Sequence, residues 1–316
     1  MNNIWLDFEK PIVELEKKIQ ELKVIESPEI AEEITRLEKQ AERLRKKIYS
    51  NLTRWQRVQL ARHPRRPYSL DIISLIATDF VETHGDRLFA DDNAVVAGLG
   101  QIDHYPVVIV AEQKGRDIKE KIRRNFGSPH PEGYRKALRL FYFAQKFSLP
   151  VICLVDTPGA YPGIGAEERG QAEAIARNMR EMSLLETPII VVIIGEGCSG
   201  GAIALALGDR VFMFENSYYS VISPEGCASI LWRDSTKAQE AAEAMKITAQ
   251  DVLALKIIDR VIPEPVGGAH RDWNAMAANL KQVLIETLDE LTRIPTSKLI
   301  EQRVEKYRRM GIVGEG

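Results

Sequence analysis

The sequence predicts an α/β domain preceded by a helical hairpin, and two patterns indicate it. Three apolar runs at residues 107–110, 151–155 and 189–194 are rich in β-branched side chains, which is typical of strands buried on both faces. A glycine-containing loop and then a helix-like stretch follow each run. In the first sixty residues, by contrast, apolar side chains recur at three- and four-residue steps among Lys, Glu and Arg, which favours amphipathic helices.

The N-terminal segment, residues 1–61, is predicted to be a hairpin of two helices. Its apolar positions are Ile12, Leu15, Ile19 and Leu22 in the first helix and Ile30, Ile34, Leu37, Ala41, Leu44 and Ile48 in the second. Ser27, Pro28 and Glu29 separate the helices, because serine caps a helix, proline suits its first turn and an acid suits its positive end. The narrow apolar stripe fits two roles: an arm that packs on its own domain, or an arm that binds a partner.

Residues 62–67 link this arm to a second domain, residues 68–316. Pro64 and Pro67 stop helix propagation in the linker, and we expect Arg62, Arg65 and Arg66 to face solvent there. Near the C-terminus the pattern predicts a long amphipathic helix. Its apolar positions are Trp273, Met276, Leu280, Leu284, Leu288 and Leu291.

The composition is that of an ordinary globular protein, with 45% hydrophobic and 28% charged residues and a net charge of −2. This balance indicates no attraction to nucleic acid or to an anionic membrane. No apolar stretch reaches the roughly 18 residues of a membrane span and no signal-like segment opens the chain, so we expect a cytoplasmic protein. The three cysteines form no CxxC pair, and His84, His104 and His130 are too dispersed to indicate a metal site, so none is expected.

Two glycine-rich loops, residues 156–163 and 195–201, follow directly after buried strands and are the candidate functional site. We expect a helix of small residues at 202–207 after the second loop. A strand, a glycine turn and a helix start leave backbone N–H groups unpaired, and the helix dipole adds positive potential. Such a site holds an oxyanion without any charged side chain.

The second loop also fits a competing function. Residues 197–201 spell G-x-S-x-G, the nucleophile elbow of serine hydrolases, with Ser199 as nucleophile. A hydrolase needs a histidine as well, and His270 is the only one after Ser199. Cys198 is a second candidate nucleophile, since a helix start lowers the pKa of a thiol, although a small residue tolerated in a tight turn is the plainer account.

Residues 244–246 read Ala-Met-Lys, which resembles the sequence on which biotin is attached. Biotin attachment at Lys246 would need the tip of a hairpin in a small β domain. The preceding residues 238–244 are rich in alanine and predict a helix instead. We therefore expect no biotin on this chain.

Six segments together resemble the carboxyltransferase α subunit of bacterial and plastid multi-subunit acetyl-CoA carboxylase. They are residues 113–117, 125–137, 156–163, 195–202, 220–226 and 262–270. The likeness extends over nearly the whole chain. It implies a crotonase-like (ClpP/crotonase) α/β fold, which is a spiral of ββα units, with the N-terminal helical hairpin added.

The resemblance also implies the reaction and its partners. A homologous β subunit would carry a zinc ribbon and the main acetyl-CoA surface, in an α2β2 assembly. Carboxybiotin would arrive on a separate biotin carboxyl carrier protein, and biotin carboxylase would use the ATP. The product would be malonyl-CoA for fatty acid biosynthesis.

Site residues are implied in the same way. Gly200 and Gly201 match paired glycines whose amides form the catalytic oxyanion hole. The substrate-binding candidates are Gly159, Ala160, Gly197, Ser199, Arg116 and Arg135. The two arginines, with Lys136, would meet carboxylate or phosphate groups, and structural salt bridges are an equal alternative. Cys198 and Lys246 depart from the family, which usually has glycine at both positions. If the turn needs a positive φ at Cys198, that residue is strained.

Overall fold

A computed structural model describes residues 5–24 and 28–311. The helices are α1 Lys10–Lys23, α2 Pro28–Tyr49, α3 Arg54–Ala61, α4 Ser69–Ile76, α5 Ile118–Arg123, α6 Pro131–Lys146, α7 Ile164–Glu168, α8 Gln171–Leu184, α9 Ser199–Ile203, α10 Pro224–Trp232, α11 Ala238–Met245, α12 Ala249–Ala254, α13 Trp273–Leu291 and α14 Thr296–Arg308. The strands are β1 Thr78–Thr83, β2 Val95–Ile102, β3 Tyr105–Glu112, β4 Val151–Thr157, β5 Ile189–Cys198, β6 Arg210–Phe214, β7 Tyr218–Ser220 and β8 Arg260–Ile262.

The predicted helical hairpin is confirmed as α1 and α2. Ile19, Leu37 and Ala41 are buried between the two helices, which is what the apolar stripe indicates. Ser27, the expected helix cap, lies outside the described residues. Whether the distal part of the hairpin contacts a partner stays a prediction.

The base of the hairpin packs on the rest of the chain, as the first of the two roles requires. Ile12 is buried with Tyr49 and Leu60. Glu9 is fully buried beside them, where it accepts a hydrogen bond from the Tyr49 hydroxyl at 2.8 Å and lies 3.3 Å from His270 Nε2. A buried carboxylate is stable only when it is paired in this way, so these contacts fix the arm at its base.

The linker has no regular secondary structure, but the prediction that its arginines face solvent is wrong for Arg62 and Arg66. The Arg66 side chain is 1% exposed, pairs with Glu264 at 2.6 Å and donates to the carbonyl of Ile194 at 2.8 Å. Arg62 pairs with Glu196 at 2.7 Å. Guanidinium groups can be buried when carboxylates and carbonyls satisfy them, and linker sequence alone does not show such partners.

Eight strands of the described chain form one mixed sheet in the order β1-β2-β3-β4-β5-β6-β8, with β7 paired to β5. The β1–β2 and β2–β3 pairs are antiparallel, and all pairs from β3 to β8 are parallel. The three predicted strands lie within β3, β4 and β5 at the centre, so the α/β class is confirmed. The proposed domain boundaries, residues 1–61 and 68–316, stay a prediction.

Both faces of the central strands are covered. Ile152 and Leu154 of β4 pack in a core that includes residues of α4 and α13, while Val151, Cys153 and Val155 pack in a core that includes residues of α6 and α8. This two-sided burial explains why the strand sequence is continuously apolar rather than alternating. The predicted C-terminal helix is confirmed as α13.

The helix expected at residues 202–207 is wrong in position and length, because α9 has five residues and ends at Ile203. The chain then turns so that β6 can begin at Arg210, paired with Ile190 of β5. Pairing of β6 with β5 therefore outweighs the helix propensity of the alanines and leucines at residues 202–207. Among the helices of residues 5–24 and 28–311, none is both long and apolar enough to cross a membrane.

Candidate active site

The two glycine-rich loops meet at the carboxyl ends of β4 and β5. These strands are parallel neighbours, so their C-terminal loops leave the same edge of the sheet, where ligands of α/β proteins bind. A Cβ atom built on Gly201 would lie 2.7 Å from the Ala160 nitrogen and 2.7 Å from the Gly159 carbonyl carbon. The loops are therefore in direct backbone contact, and Gly201 has to be glycine for that contact to form.

A cavity of about 400 Å³ opens at this junction. Its lining consists of Pro158, Gly159, Ala160, Tyr161, Pro162, Glu167, Gln171, Ala172, Ile175, Cys198, Ser199, Gly200, Val221, Ile222 and Ser223. Of the predicted site residues, Gly159, Ala160, Ser199 and Gly200 thus lie at one surface. The residues of this lining that carry ionisable side chains are Tyr161, Glu167 and Cys198.

A second cavity of about 410 Å³ shares Ser199, Gly200 and Val221 with the first. Its other lining residues are Ile203, Tyr219, Ser220, Val252 and Ile257, so most of its surface is apolar. The Ser199–Gly200 segment therefore contributes to a polar cavity and to an apolar one at once.

Gly200 and Gly201 occupy the first turn of α9, where backbone N–H groups have no partner inside the helix. Within the described residues neither N–H donates a hydrogen bond. Gly200 is partly exposed and lines both cavities, while Gly201 is buried behind it. The structure thus places Gly200 at both cavities and Gly201 in the contact between the loops; a direct role of either amide as oxyanion donor stays a prediction.

The strained residue of this turn is Ser199, not Cys198. Ser199 has φ of +58°, in the left-handed region, whereas Cys198 ends β5 with φ of −118°. A non-glycine residue in that region costs roughly 1 kcal/mol or more, and such strain clusters at functional sites. At Lys246 the departure from glycine does fall on a left-handed residue, with φ of +52°, which ends α11. Lys246 follows a helix, so the expectation that it is not at a hairpin tip is confirmed.

In the described part of the chain no histidine lies beside Ser199, where a serine hydrolase would require one. His270 is 2% exposed and lies against Glu9 and His63, and no histidine of the described chain lines either cavity. Cys198 is equally unsuited as a nucleophile, because burial raises the pKa of its thiol to about 11. At neutral pH the sulfur stays protonated, and the thiol is a poor nucleophile.

Gly197 lies inside β5 and not at a cavity. A Cβ atom there would come within 3.0 Å of the Tyr219 ring, so glycine is required by the pairing of β5 with β7. Gly197 lines neither cavity, so contact of this residue with substrate stays a prediction.

The predicted arginine ligands lie away from the cavity as well. The Arg116 Cζ atom lies 4.5 Å from the centre of the Tyr68 ring and 4.8 Å from the centre of the Trp273 ring. The guanidinium also pairs with the Asp71 carboxylate. Arg135 pairs with Asp86 at 2.8 Å.

Lys136 is fully buried, with its ammonium 2.6 Å from Asp91. For all three basic residues the structure shows the salt-bridge alternative, and ligand binding by Arg116 and Arg135 stays a prediction.

An ion network behind the loops was missed by the sequence reasoning. Asp156 and Glu196 stand at the starts of the two loops, and Lys114 Nζ lies 2.7 Å from a carboxylate oxygen of each. Burial opposes ionisation of Glu196, yet Lys114 and Arg62 hold its pKa at about 2. The sequence did contain a sign of this network. Asp156 and Glu196 each follow closely on an apolar run, and a carboxylate buried there is stable only when it is paired.

A second buried cluster joins Glu9, His63 and His270, whose potential ligand atoms lie within 4.8 Å of one another. The Arg271 guanidinium lies 3.6 Å from the same Glu9 oxygen, and its charge would repel a bound cation. We interpret the cluster as the anchor of the arm.

Comparison with known proteins agrees with this picture. The family model described as acetyl co-enzyme A carboxylase carboxyltransferase-like matches residues 5–311. The chain is 58% identical over 312 residues to the acetyl-coenzyme A carboxylase carboxyl transferase subunit alpha of Geobacter metallireducens, covering 98% of both chains. It is 60% identical over 278 residues to the subunit of the same name from Geobacter sulfurreducens, covering 88% of this chain and 87% of that one.

Solved structures show the same fold at low sequence identity. Transcarboxylase 12S matches with a TM-score of 0.58 and 20% identity over 72% of this chain, which spans only 42% of the transcarboxylase chain. A Pseudomonas malonate decarboxylase hetero-tetramer matches with a TM-score of 0.56 and 19% identity, covering 69% of this chain and 87% of that one. The predicted crotonase-like α/β fold is confirmed. By sequence, the chain belongs to the acetyl-coenzyme A carboxylase carboxyltransferase α-subunit family.

Proposed function

We propose that this chain works with a carboxyltransferase β subunit to transfer a carboxyl group from carboxybiotin to acetyl-CoA, giving malonyl-CoA. The observation that carries the proposal is the unpaired Gly200 N–H at a cavity formed by two glycine loops. This arrangement suits a reaction that creates negative charge on oxygen but needs no protein nucleophile. The product would enter fatty acid biosynthesis at its first committed step.

Carboxybiotin, on a separate carrier protein, would supply CO2 by cleavage of its N–C bond, and the ureido oxygen would then take a proton from the acetyl methyl group. The thioester enolate formed would bond to CO2 through its methyl carbon and give malonyl-CoA. The protein then has to stabilise an oxyanion and exclude water. The Gly200 amide is the donor for the oxyanion, and loss of one such donor costs about 3–4 kcal/mol of transition-state stabilisation. Gly159 and Ala160 form the facing wall of the cavity.

The residues present fit an uncharged ring system next to the oxyanion donor. The second cavity is lined mostly by apolar side chains, among them Ile203, Val252 and Ile257, and it shares Gly200 with the polar cavity. A ring placed there would have its polar edge at the Gly200 amide and its apolar faces against aliphatic carbon. Biotin on its carrier has this division between a polar ureido edge and an apolar body.

The surface beside the cavities supports an obligatory partner. Val221, Ile230, Leu231 and Trp232 are exposed at 83, 72, 64 and 41%. Val221 lines both cavities, and the other three residues end α10, the helix that follows it in the chain. Exposed apolar side chains of this size are typical of protein interfaces. We propose that the β subunit covers it in an α2β2 assembly and supplies the zinc ribbon and the main acetyl-CoA surface. A biotin carboxyl carrier protein and an ATP-using biotin carboxylase complete the system, in the cytoplasm.

Reconstitution tests the proposal. We would measure biotin-dependent decarboxylation of malonyl-CoA with this chain alone, the β subunit alone and both together. Activity is expected only with both. Thioester hydrolysis by this chain alone, abolished in Ser199→Ala, would establish the serine hydrolase instead.

A further inference from the structure

We propose that Lys114 is a positioning residue that holds the two glycine loops in register, through one ammonium group that bridges Asp156 and Glu196. Lys114 has no place in the lining of either cavity, so it acts through the loops and not on the ligand. The inference rests on the proposed function, because that function requires both loops at one site.

The bridge joins Asp156, the first residue of one loop, to Glu196, the second residue of the other. Lys114 Nζ lies 2.7 Å from Asp156 Oδ1 and 2.7 Å from Glu196 Oε1. The same Asp156 oxygen accepts the backbone N–H of Glu196 at 2.9 Å. A Cβ atom on Gly195 would lie 2.4 Å from this oxygen, so Gly195 is glycine in order to admit the carboxylate. Backbone and side chain together fix the distance between the loops.

Hydrogen bonds of the neighbouring residue connect Asp156 to the cavity wall. Its neighbour Thr157 donates to the carbonyl of Gly127 at 2.7 Å and accepts the N–H of Gly159 at 3.0 Å. Gly159 in turn contacts Gly201 on the other loop. A shift of Asp156 therefore moves the wall that faces the Gly200 amide, and a displacement of about 1 Å at a site can cost ~100-fold in rate.

Charge balance makes the role testable by pH. The ionisable groups that face the two carboxylates within the described residues are Lys114, Arg62, Glu112, Tyr68, Tyr218, Glu225 and Cys198. Arg62 pairs with Glu196 Oε2 at 2.7 Å, whereas Lys114 is the cation paired with Asp156. Without Lys114, Asp156 is a buried carboxylate facing Glu196 with no cation of its own. It must bind a proton or move away, and acid favours the proton.

The experiment compares wild type with Lys114→Met in the reconstituted assay with the β subunit, over a range of pH. We expect kcat to fall about 100-fold at pH 8 with little change in KM. The deficit should shrink as pH falls toward 6, because protonation of a carboxyl removes the repulsion. Lys114→Met/Asp156→Asn should recover part of the loss at pH 8, since asparagine removes the charge and keeps an acceptor for the Glu196 N–H. The matched control is Lys119→Met, at an exposed lysine of α5.

A wild-type kcat and an unchanged pH profile in Lys114→Met would overturn the proposal. If this variant does not fold, Lys114→Met/Asp156→Asn is compared with Asp156→Asn, and equal kcat values in the two would overturn it. Hydrogen exchange gives a readout independent of activity: residues 156–163 and 195–201 should both exchange faster in the variant. Inactivity of the wild-type pair would count against the proposed function, while the exchange result would still decide the role of Lys114.

Discussion

The two sides of the glycine loops differ in what they offer. Toward the cavity, Gly159, Ala160 and Gly200 present backbone atoms. Toward the sheet, Asp156 and Glu196, near the starts of the same loops, carry carboxyl groups that pair with the partly buried cations Lys114 and Arg62. The difference teaches that charge is used here to hold the loops, while neutral amides are left to meet the ligand. Amide dipoles stabilise a developing oxyanion without holding a permanent charge in the cavity.

The contact between the loops is where we expect the largest effect. Gly201→Val would force its side chain against the backbone of Gly159 and Ala160, so the cavity wall should move and activity should fall more than ~1,000-fold. The structure predicts that this variant keeps the sheet but shifts the first loop. Gly200→Ala is the matched control, because its Cβ meets only Ile175 Cδ1 at 3.3 Å. Similar kcat values for both variants would contradict the division of roles between the two glycines.

The buried pair of Arg66 and Glu264 should dominate stability without entering the chemistry. Arg66→Met leaves Glu264 buried without its cation, and breaking such a pair costs about 3–5 kcal/mol. We expect a lower midpoint in urea unfolding and, in the remaining folded protein, wild-type kcat with the β subunit. A large loss of kcat at full stability would show that the linker takes part in catalysis.

The arm anchor predicts a pH dependence of stability. Although burial opposes it, the hydrogen bonds from His270 and the Leu6 amide lower the pKa of Glu9 to about 2. A depressed folded-state pKa contributes stability that is complete above the unfolded value of 4.5 and is lost as pH falls toward 2. Glu9→Gln should therefore be less stable than wild type at pH 7, by on the order of 2–3 kcal/mol, and the difference should shrink below pH 4. Urea unfolding at pH 7 and pH 3 measures this, and a pH-independent difference would contradict it.

The smallest effect is expected at Arg116. Its stacking on Tyr68 and Trp273 contributes about 1–2 kcal/mol, so Arg116→Met should lower the unfolding free energy by that amount. Because the guanidinium lies outside both cavities, KM for malonyl-CoA should change less than about twofold. A tenfold rise in KM would support the ligand-binding role suggested by the sequence.

Much of the fold could be predicted from sequence, because long apolar patterns indicate which residues are buried. The strands at residues 107–110, 151–155 and 189–194 and the helix from Trp273 to Leu291 formed as predicted. The two loops also come together as expected, since parallel neighbours end at one edge of a sheet. Prediction from sequence was wrong where the burial of a side chain depends on a partner far away in the chain. The burial of Arg66 depends on Glu264, almost two hundred residues away.

The glycine turn shows the same limit at short range. The sequence predicted strain at Cys198 on the condition that the turn needs a positive φ there. β5 extends through that residue, so the left-handed conformation falls on Ser199 instead. Likewise, nothing in the pair Gly200–Gly201 shows that one residue meets the cavity and the other meets Ala160. Such assignments need the three-dimensional contact.

Replacing the Gly200 N–H by an ester oxygen tests the central claim most directly, because it removes one donor and leaves the side chain and the volume almost unchanged. With the β subunit present, we predict a fall in kcat of about 100- to 1,000-fold. The same replacement at Gly201, which is buried and lines neither cavity, should have a much smaller effect. Wild-type kcat with the ester at Gly200 would contradict the account.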